Sequence, residues 1–116
     1  MSHDIAVIGD GCAALSLAAR AEQLPDYNIT LVRPNGAPES KDHVWGFWSD
    51  EILEDAAQLA RGTWHRWDII TPKRRITMSS KLMPYHAIKR NDWTDHCQNL
   101  AKSAGVNFID EDDWQI

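Results

Sequence analysis

The chain has 116 residues, enough for one domain with a core of its own. Hydrophobic residues make up 43% of it and charged residues 25%, which is ordinary for a soluble globular protein. The net charge of −5 argues against a nucleic-acid-binding surface, because the binding of phosphates needs a dense basic face.

Cysteine and histidine usage gives no sign of a disulfide framework or a metal site. The two cysteines, Cys12 and Cys97, lie far apart in sequence, so a reducing cytoplasm is the expected location. The five histidines lack the spacing of metal ligands, and no metal site is predicted. No segment is as long as a membrane span, and the apolar run at residues 5–8 is too short for a signal peptide.

A βαβ unit is predicted at the start of the chain. Residues 5–8 form a continuous apolar run stopped by Gly9, which is typical of a strand buried on both faces. Residues 12–24 carry apolar side chains at helical spacing, and Pro25 ends the predicted helix. Residues 29–32 read as the next strand, so the two strands should be parallel and joined by a right-handed crossover.

The following segment reads as a loop, an aromatic stretch and a helix. Residues 34–41 are polar and rich in proline and glycine, and residues 44–48 hold two tryptophans and a phenylalanine. Ser49 is expected to cap a helix, since short polar side chains satisfy the first N–H groups of a helix. Gly62 is expected to stop that helix.

The second half of the chain predicts a hairpin, a helix and a strand. Apolar residues alternate with polar ones at 67–71 and 76–78 around a turn at 72–73, which predicts an antiparallel hairpin. Apolar side chains at helical spacing predict a helix over residues 92–104. Residues 106–109 read as a strand that rejoins the first two.

The strongest motif is a G-x-G-x-x-A segment between the first strand and the first helix. The motif comprises Gly9, Asp10, Gly11, Cys12, Ala13 and Ala14. The first glycine permits a tight turn, the second lets the backbone approach a pyrophosphate, and the alanine allows the helix to pack closely on the strand. Free N–H groups at the helix start would face the anion. The motif predicts dinucleotide binding, the alternative being a glycine-rich turn in an unrelated α/β domain.

The residue at the end of the second strand departs from the usual pattern. An acidic residue there usually holds the adenosine ribose, but this chain has Arg33. One interpretation is that Arg33 contacts the adenosine end of a nucleotide, such as the 2′-phosphate of NADP. The other is a solvated arginine, with Glu39 or Asp42 holding the ribose instead.

The predicted fold class is α/β, with a Rossmann-type FAD/NAD(P)-binding βαβ core at residues 4–33. An insertion that bears the antiparallel hairpin occupies residues 34–90. Residues 91–110 supply a helix and the returning strand. The chain is expected to be the N-terminal part of such a domain and not the whole of it.

Most of the chain resembles the lycopene cyclases. Residues 3–18 read His-Asp-Ile-Ala-Val-Ile-Gly-Asp-Gly-Cys-Ala-Ala-Leu-Ser-Leu-Ala, similar to the FAD fingerprint of that family. The family then carries a His-Thr-Trp-x-Phe-Trp-like segment, and residues 43–48 read His-Val-Trp-Gly-Phe-Trp. The hairpin and a helix ending before Val106 follow in the family's order. Val44 stands in place of the usual threonine, and Arg33 in place of the usual acidic residue.

The resemblance implies an enzyme that cyclises the ends of lycopene or a related carotenoid. It implies FAD as cofactor and NADPH as the source of reduction, with proton-initiated cyclisation and no net redox change. The family's acidic catalytic motif is expected beyond residue 116, so no catalytic residue is assigned and this chain alone should be inactive. Peripheral membrane association is expected through the remaining part of the protein.

Two other functions stay open. Another FAD-dependent oxidoreductase, of the monooxygenase or halogenase type, would share the fingerprint but handle oxygen. A non-catalytic module that binds NAD(P) or FAD would need nothing beyond the βαβ unit. The aromatic side chains of residues 44–48 are interpreted as core or loop packing, with a direct flavin or substrate contact as the alternative.

Overall fold

The computed structural model describes residues 2–36 and 41–114, which form strands and helices. The strands are β1 (His3–Ile8), β2 (Tyr27–Arg33), β3 (Val44–Trp48), β4 (Gly62–Trp64), β5 (Arg66–Thr71), β6 (Arg74–Ser79), β7 (Tyr85–Lys89) and β8 (Asn107–Asp110). The helices are α1 (Cys12–Ala18), α2 (Glu54–Leu59) and α3 (Arg90–Ser103). The chain divides into a first unit, the described residues of Met1–Lys41 and Thr94–Ile116, and a second unit, Asp42–Trp93.

The first unit is built on a parallel sheet of order β1-β2-β8. β1 pairs with β2 in parallel from His3 opposite Tyr27 to Ile8 opposite Val32. β8 pairs with the other side of β2, also in parallel. The predicted α/β fold with a Rossmann-type βαβ unit and a returning strand is therefore confirmed.

The core of this unit lies between the sheet and its helices. The side chains with 1% exposure or less belong to α1, to the central strand β2 and to α3. They are Leu15, Ala18, Leu31, Val32, Cys97 and Ala101. Of the two cysteines, Cys97 is buried and Cys12 is exposed.

Two features of the βαβ unit differ from the prediction. The helix predicted over residues 12–24 ends at Ala18, because Arg20 leaves the α region and a 3-10 turn at Ala21–Gln23 brings the chain round to β2. β1 is not buried on both faces, and its last residue, Ile8, is 60% exposed. The reason is that, among the described residues, β1 pairs with β2 alone.

The second unit holds an antiparallel sheet of order β3-β7-β4 that the sequence did not predict. Its central strand, β7, buries His86, Ala87 and Ile88. The ring of Phe47, on β3, lies 5.1 Å from that of His86, so at least this aromatic side chain contributes to packing.

The helix of this unit begins and ends at other residues than expected. Asp50, and not Ser49, caps the first turn, because its carboxylate accepts a hydrogen bond from the N–H of Ile52 at 3.0 Å. A 3-10 turn at Glu51–Leu53 then leads into α2. The helix ends when Ala60 becomes extended, and Gly62 is the first residue of β4.

The predicted hairpin is present as β5 and β6, with the turn where it was expected. Ile69 lies opposite Ile76, and Trp67 lies opposite Met78. Side chains alternate across a two-stranded ribbon, so these four share one face. Asp68 lies on the other face, where it accepts hydrogen bonds from the hydroxyl of Thr77 at 2.6 Å and from Arg75 Nε at 3.0 Å.

Acid is expected to weaken the hairpin through Asp68. The hydrogen bond from Thr77, and then that from Arg75, lowers the pKa of the Asp68 carboxyl in the folded state. The ionised form therefore adds stability above the unfolded-state pKa, and this contribution is lost as the pH falls through the lower folded-state pKa. The protection of the β5 and β6 amides from hydrogen exchange, measured relative to the intrinsic exchange rate at each pH, should therefore fall at acid pH.

The exposed Asp95 offers a matched control for this prediction. Asp68→Asn should remove the loss of protection at acid pH, whereas Asp95→Asn should leave that loss unchanged. An equal pH dependence in the two variants would show that Asp68 does not control the hairpin.

Candidate functional site

The candidate nucleotide site lies at the turn from β1 into α1. Gly9 has a φ of +126°, a backbone conformation that favours glycine, and its N–H donates to the carbonyl of Val32 at 2.9 Å. This bond ties the turn to the carboxyl end of β2. Ligands of open parallel sheets bind outside the carboxyl ends of the strands.

The first turn of α1 offers N–H groups to an anion. Gly11 is the N-cap, and no side chain caps the helix. The first helical hydrogen bond runs from the N–H of Leu15 to the carbonyl of Gly11 at 3.0 Å. The N–H groups before Leu15 have no intrahelical acceptor, as in any first helical turn. The first turn also contains no acidic side chain that would repel an anion.

The space over this turn is open. A Cβ atom added at Gly9 or at Gly11 would meet no protein atom within 4 Å. The protein itself therefore does not require the small size of Gly11, which adopts a φ of −81° that any residue can adopt. A pyrophosphate that approaches the backbone does require a residue without a side chain at position 11, so the turn fits a dinucleotide.

The other residues of the motif are exposed or half-buried. Asp10, Cys12 and Ala13 are exposed, and Ala14 is half-buried. The thiol of Cys12 lies 3.9 Å from the hydroxyl of Ser16, one helical turn on. The position of Cys12 in the first turn is consistent with a contribution through its backbone N–H alone.

Arg33 is half-buried at the end of β2 and packs on an aromatic ring. Its guanidinium carbon lies 5.6 Å from the centroid of Phe108, on β8, within the range of a cation–π contact. The ammonium group of Lys102 lies 5.9 Å from the same centroid. Arg33 is thus part of the packing between β2 and β8.

Acidic residues lie at the same sheet edge but on β8. Asp110 is directly opposite Arg33 in the parallel ladder. The next residue, Glu111, accepts a hydrogen bond from the N–H of Asn35 at 2.8 Å, and Asp112 accepts one from the Asn35 side chain at 2.5 Å. The segment after β2 is therefore held by carboxylates from the segment after β8. The sequence alone did not show that these acids meet the end of β2 and the segment after it.

Glu39 and Asp42 are the two acids that the sequence suggests could hold the ribose in place of an acid at the end of β2. Glu39 lies outside the described residues. Asp42 accepts a hydrogen bond from the N–H of Asn91 at 3.1 Å, at the start of α3. One of its carboxylate oxygens is therefore used within the second unit.

Two further observations concern metal binding and membrane-spanning helices. Within residues 2–36 and 41–114, no three side chains of the metal-binding types come together. Across the same residues, no helix is long and apolar enough to span a membrane.

Solved structures with a similar fold include an oxygenase and a dihydroxylase. The chain matches 2-methyl-3-hydroxypyridine-5-carboxylic acid oxygenase with a TM-score of 0.71 and 17% identity, covering 95% of this chain and 32% of that one. A tetrameric form of the same enzyme gives 0.70 and 18%, covering 94% and 31%. A peptidyl tryptophan dihydroxylase essential for tryptophylquinone cofactor biogenesis gives 0.59 and 18%, covering 95% and 25%.

These likenesses establish the fold, and the chain spans about one third of the length of the first of these structures. Comparison with curated proteins gives no match. The family described as lycopene cyclase protein matches residues 4–116, nearly the whole chain. The chain therefore belongs to the lycopene cyclase family.

Proposed function

We propose that the chain is the FAD-binding N-terminal part of a flavoprotein that cyclises the ends of lycopene or a related carotenoid. The observation that carries the proposal is the open turn at Gly9 and Gly11 in a chain that matches the family over residues 4–116. A turn of this kind supplies N–H groups and space to the pyrophosphate of a dinucleotide.

FAD is the dinucleotide proposed for the turn, and NADPH is proposed as its reductant. Gly11, Cys12 and Ala13 would bind the pyrophosphate through backbone N–H groups, and Gly9 would shape the turn. Reduced FAD would supply an electron-rich surface for a cationic intermediate while the reaction itself changes no oxidation state. The acid that protonates the polyene is proposed to lie in the remaining part of the protein.

Conversion of lycopene tests this function. The full-length protein should purify with FAD and, with NADPH and lycopene, should give a product of unchanged mass that carries ionone rings. Chromatography with mass spectrometry would detect it. Lycopene that is recovered unchanged by a protein loaded with FAD would contradict cyclisation.

An FAD-dependent oxygenase is the second candidate, and the solved structures of similar fold favour it. Each of those described above is named as an oxygenase or a dihydroxylase. The same experiment separates the two functions, because an oxygenase adds oxygen to its substrate and raises the mass. Cyclisation leaves the composition of the substrate unchanged.

A charge reversal at Arg33 tests whether that residue contacts NADPH. Because Arg33 is at the ribose position of the same turn, a contact with a 2′-phosphate would mean that NADPH, and not FAD, occupies the turn. In that case Arg33→Glu should weaken NADPH binding on the order of 10- to 100-fold, the value of a charge-assisted hydrogen bond, and NADH binding much less. Fluorescence titration with each nucleotide measures this difference. Equal losses for both nucleotides would assign Arg33 to packing on Phe108 alone.

A further inference from the structure

The end of β2 lacks the acid that usually holds the adenosine ribose of a bound dinucleotide. Such an acid accepts a hydrogen bond from the 2′-hydroxyl, but this chain has Arg33 there. The guanidinium carbon of Arg33 lies 5.6 Å from the ring centroid of Phe108, which is opposite Leu31 in the ladder, two residues before Arg33. The positive charge is therefore drawn back along the sheet, away from the carboxyl edge at which ligands bind.

Four acidic residues end the neighbouring strand. Asp110 is the last residue of β8, and Glu111, Asp112 and Asp113 follow it directly, all exposed. We name residues 110–113 the acidic edge. The order β1-β2-β8 places the acidic edge beside the end of β2 and two strands from the glycine turn. Since neighbouring strands are about 4.8 Å apart, these separations across the sheet are about 5 Å and about 10 Å.

A hydrogen bond brings Glu111 to the end of β2. Its Oε2 atom accepts from the N–H of Asn35 at 2.8 Å, and Asn35 is two residues beyond Arg33. An ionised carboxylate has about four lone-pair sites on its two oxygens, so Oε1 of Glu111 can accept from a second donor. Glu111 thus supplies a carboxylate beside the end of β2, where an acid at position 33 would otherwise stand.

We propose that Glu111 accepts the hydrogen bond from the 2′-hydroxyl of the adenosine ribose and that the acidic edge keeps a 2′-phosphate out. A 2′-phosphate carries about two negative charges and would lie beside these carboxylates, which repel it. The pyrophosphate at the glycine turn is about one Debye length away, so its repulsion is much weaker. The turn is therefore selective for a dinucleotide with a free 2′-hydroxyl, such as FAD, and discriminates against NADPH.

This inference rests on the proposed binding of a dinucleotide at the turn, and it states which class binds there. NADPH, as the proposed reductant, would act without occupying the turn. The contacts that carry the inference join Arg33 to Phe108 and Asn35 to Glu111, all within the first unit. They do not depend on which surfaces the remaining part of the protein covers.

Binding of FAD and of 2′-deoxy-FAD, which lacks only that hydroxyl of the adenosine ribose, tests the contact. The full-length apoprotein should bind FAD on the order of tenfold or more tightly, the value of a hydrogen bond to a charged group. Glu111→Gln keeps an oxygen for the N–H of Asn35 but loses the charge, so the preference for FAD should fall to roughly threefold. Asp113→Asn removes the same charge from the acidic edge and should keep the full preference. Quenching of flavin fluorescence measures each affinity.

Competition by nicotinamide nucleotides tests the exclusion of a 2′-phosphate. NADH should displace FAD from the apoprotein on the order of tenfold more effectively than NADPH. Asp110→Asn/Asp113→Asn removes two of the four charges and should reduce this difference to roughly threefold. Asp26→Asn/Asp95→Asn removes two exposed aspartates elsewhere in the first unit and should leave the difference unchanged.

The outcomes distinguish this inference from the proposed function. A full-length protein that binds no FAD would contradict the proposed function, and the inference with it. Tight binding of FAD with an equal affinity for 2′-deoxy-FAD would overturn the inference alone and leave the FAD site in place. Tighter binding of NADPH than of NADH, reversed by Arg33→Glu, would also overturn it, because Arg33 would then hold a 2′-phosphate.

Discussion

Replacement of Gly11 by valine is expected to remove FAD from the protein. The side chain would occupy the space in which the pyrophosphate meets the backbone. Loss of two charge-assisted hydrogen bonds from backbone N–H groups weakens binding on the order of 100-fold or more. Flavin absorbance of the purified protein, followed by titration with FAD, measures the effect.

The geometry of Gly11 separates loss of the ligand from loss of the fold. Its φ suits any residue, and a Cβ there meets no protein atom within 4 Å, so Gly11→Val should keep the circular dichroism spectrum of the parent. Leu17→Val, on the exposed side of the same helix, should retain FAD. A Gly11→Val protein that carries the usual amount of flavin would show that FAD binds elsewhere.

Gly46→Ala is expected to destabilise the second unit although it adds a single methyl group. The Cβ atom would overlap the phenol ring of Tyr85, which extends over Gly46 from its place on β7 opposite Trp48. Overpacking of this kind typically costs about 1–3 kcal/mol. Tyr85 would have to leave its edge-to-face contact with Trp48, so the packing of these two rings would be disturbed as well. Thermal unfolding monitored by near-ultraviolet circular dichroism measures both effects.

A double variant attributes this effect to the tyrosine. In a Tyr85→Leu background the flexible side chain can move aside, so Gly46→Ala should cost much less than it does with tyrosine present. Equal costs in the two backgrounds would mean that the glycine is needed for its backbone and not for the space above it.

The βαβ unit and the hairpin could be predicted because each has a strong local signal. The apolar run before Gly9 and the small residues of the turn specify a strand, a tight turn and a helix in order. The alternation around residues 72–73 specifies the hairpin and its turn, and the structure adds the register. Both features are decided by residues close together in the chain.

The features that were missed depend on residues far apart in the chain. β3 and β7 pair across about 40 residues, and the aromatic run of β3 reads equally well as loop packing. The opposition of Arg33 and Asp110 appears only once β8 is known to lie beside β2. The acids after residue 109 were visible, but the sequence could not show that they meet the end of β2.

Cyclisation of lycopene in deuterium oxide tests the central claim most directly. Proton-initiated ring closure adds a hydron from solvent at one carbon and releases a proton from another, so the composition of the product is otherwise unchanged. We expect the full-length protein with FAD and NADPH to give a ringed product that contains solvent deuterium and no added oxygen, as mass spectrometry would show. A product that instead carries oxygen from dioxygen would contradict the assignment and identify an oxygenase.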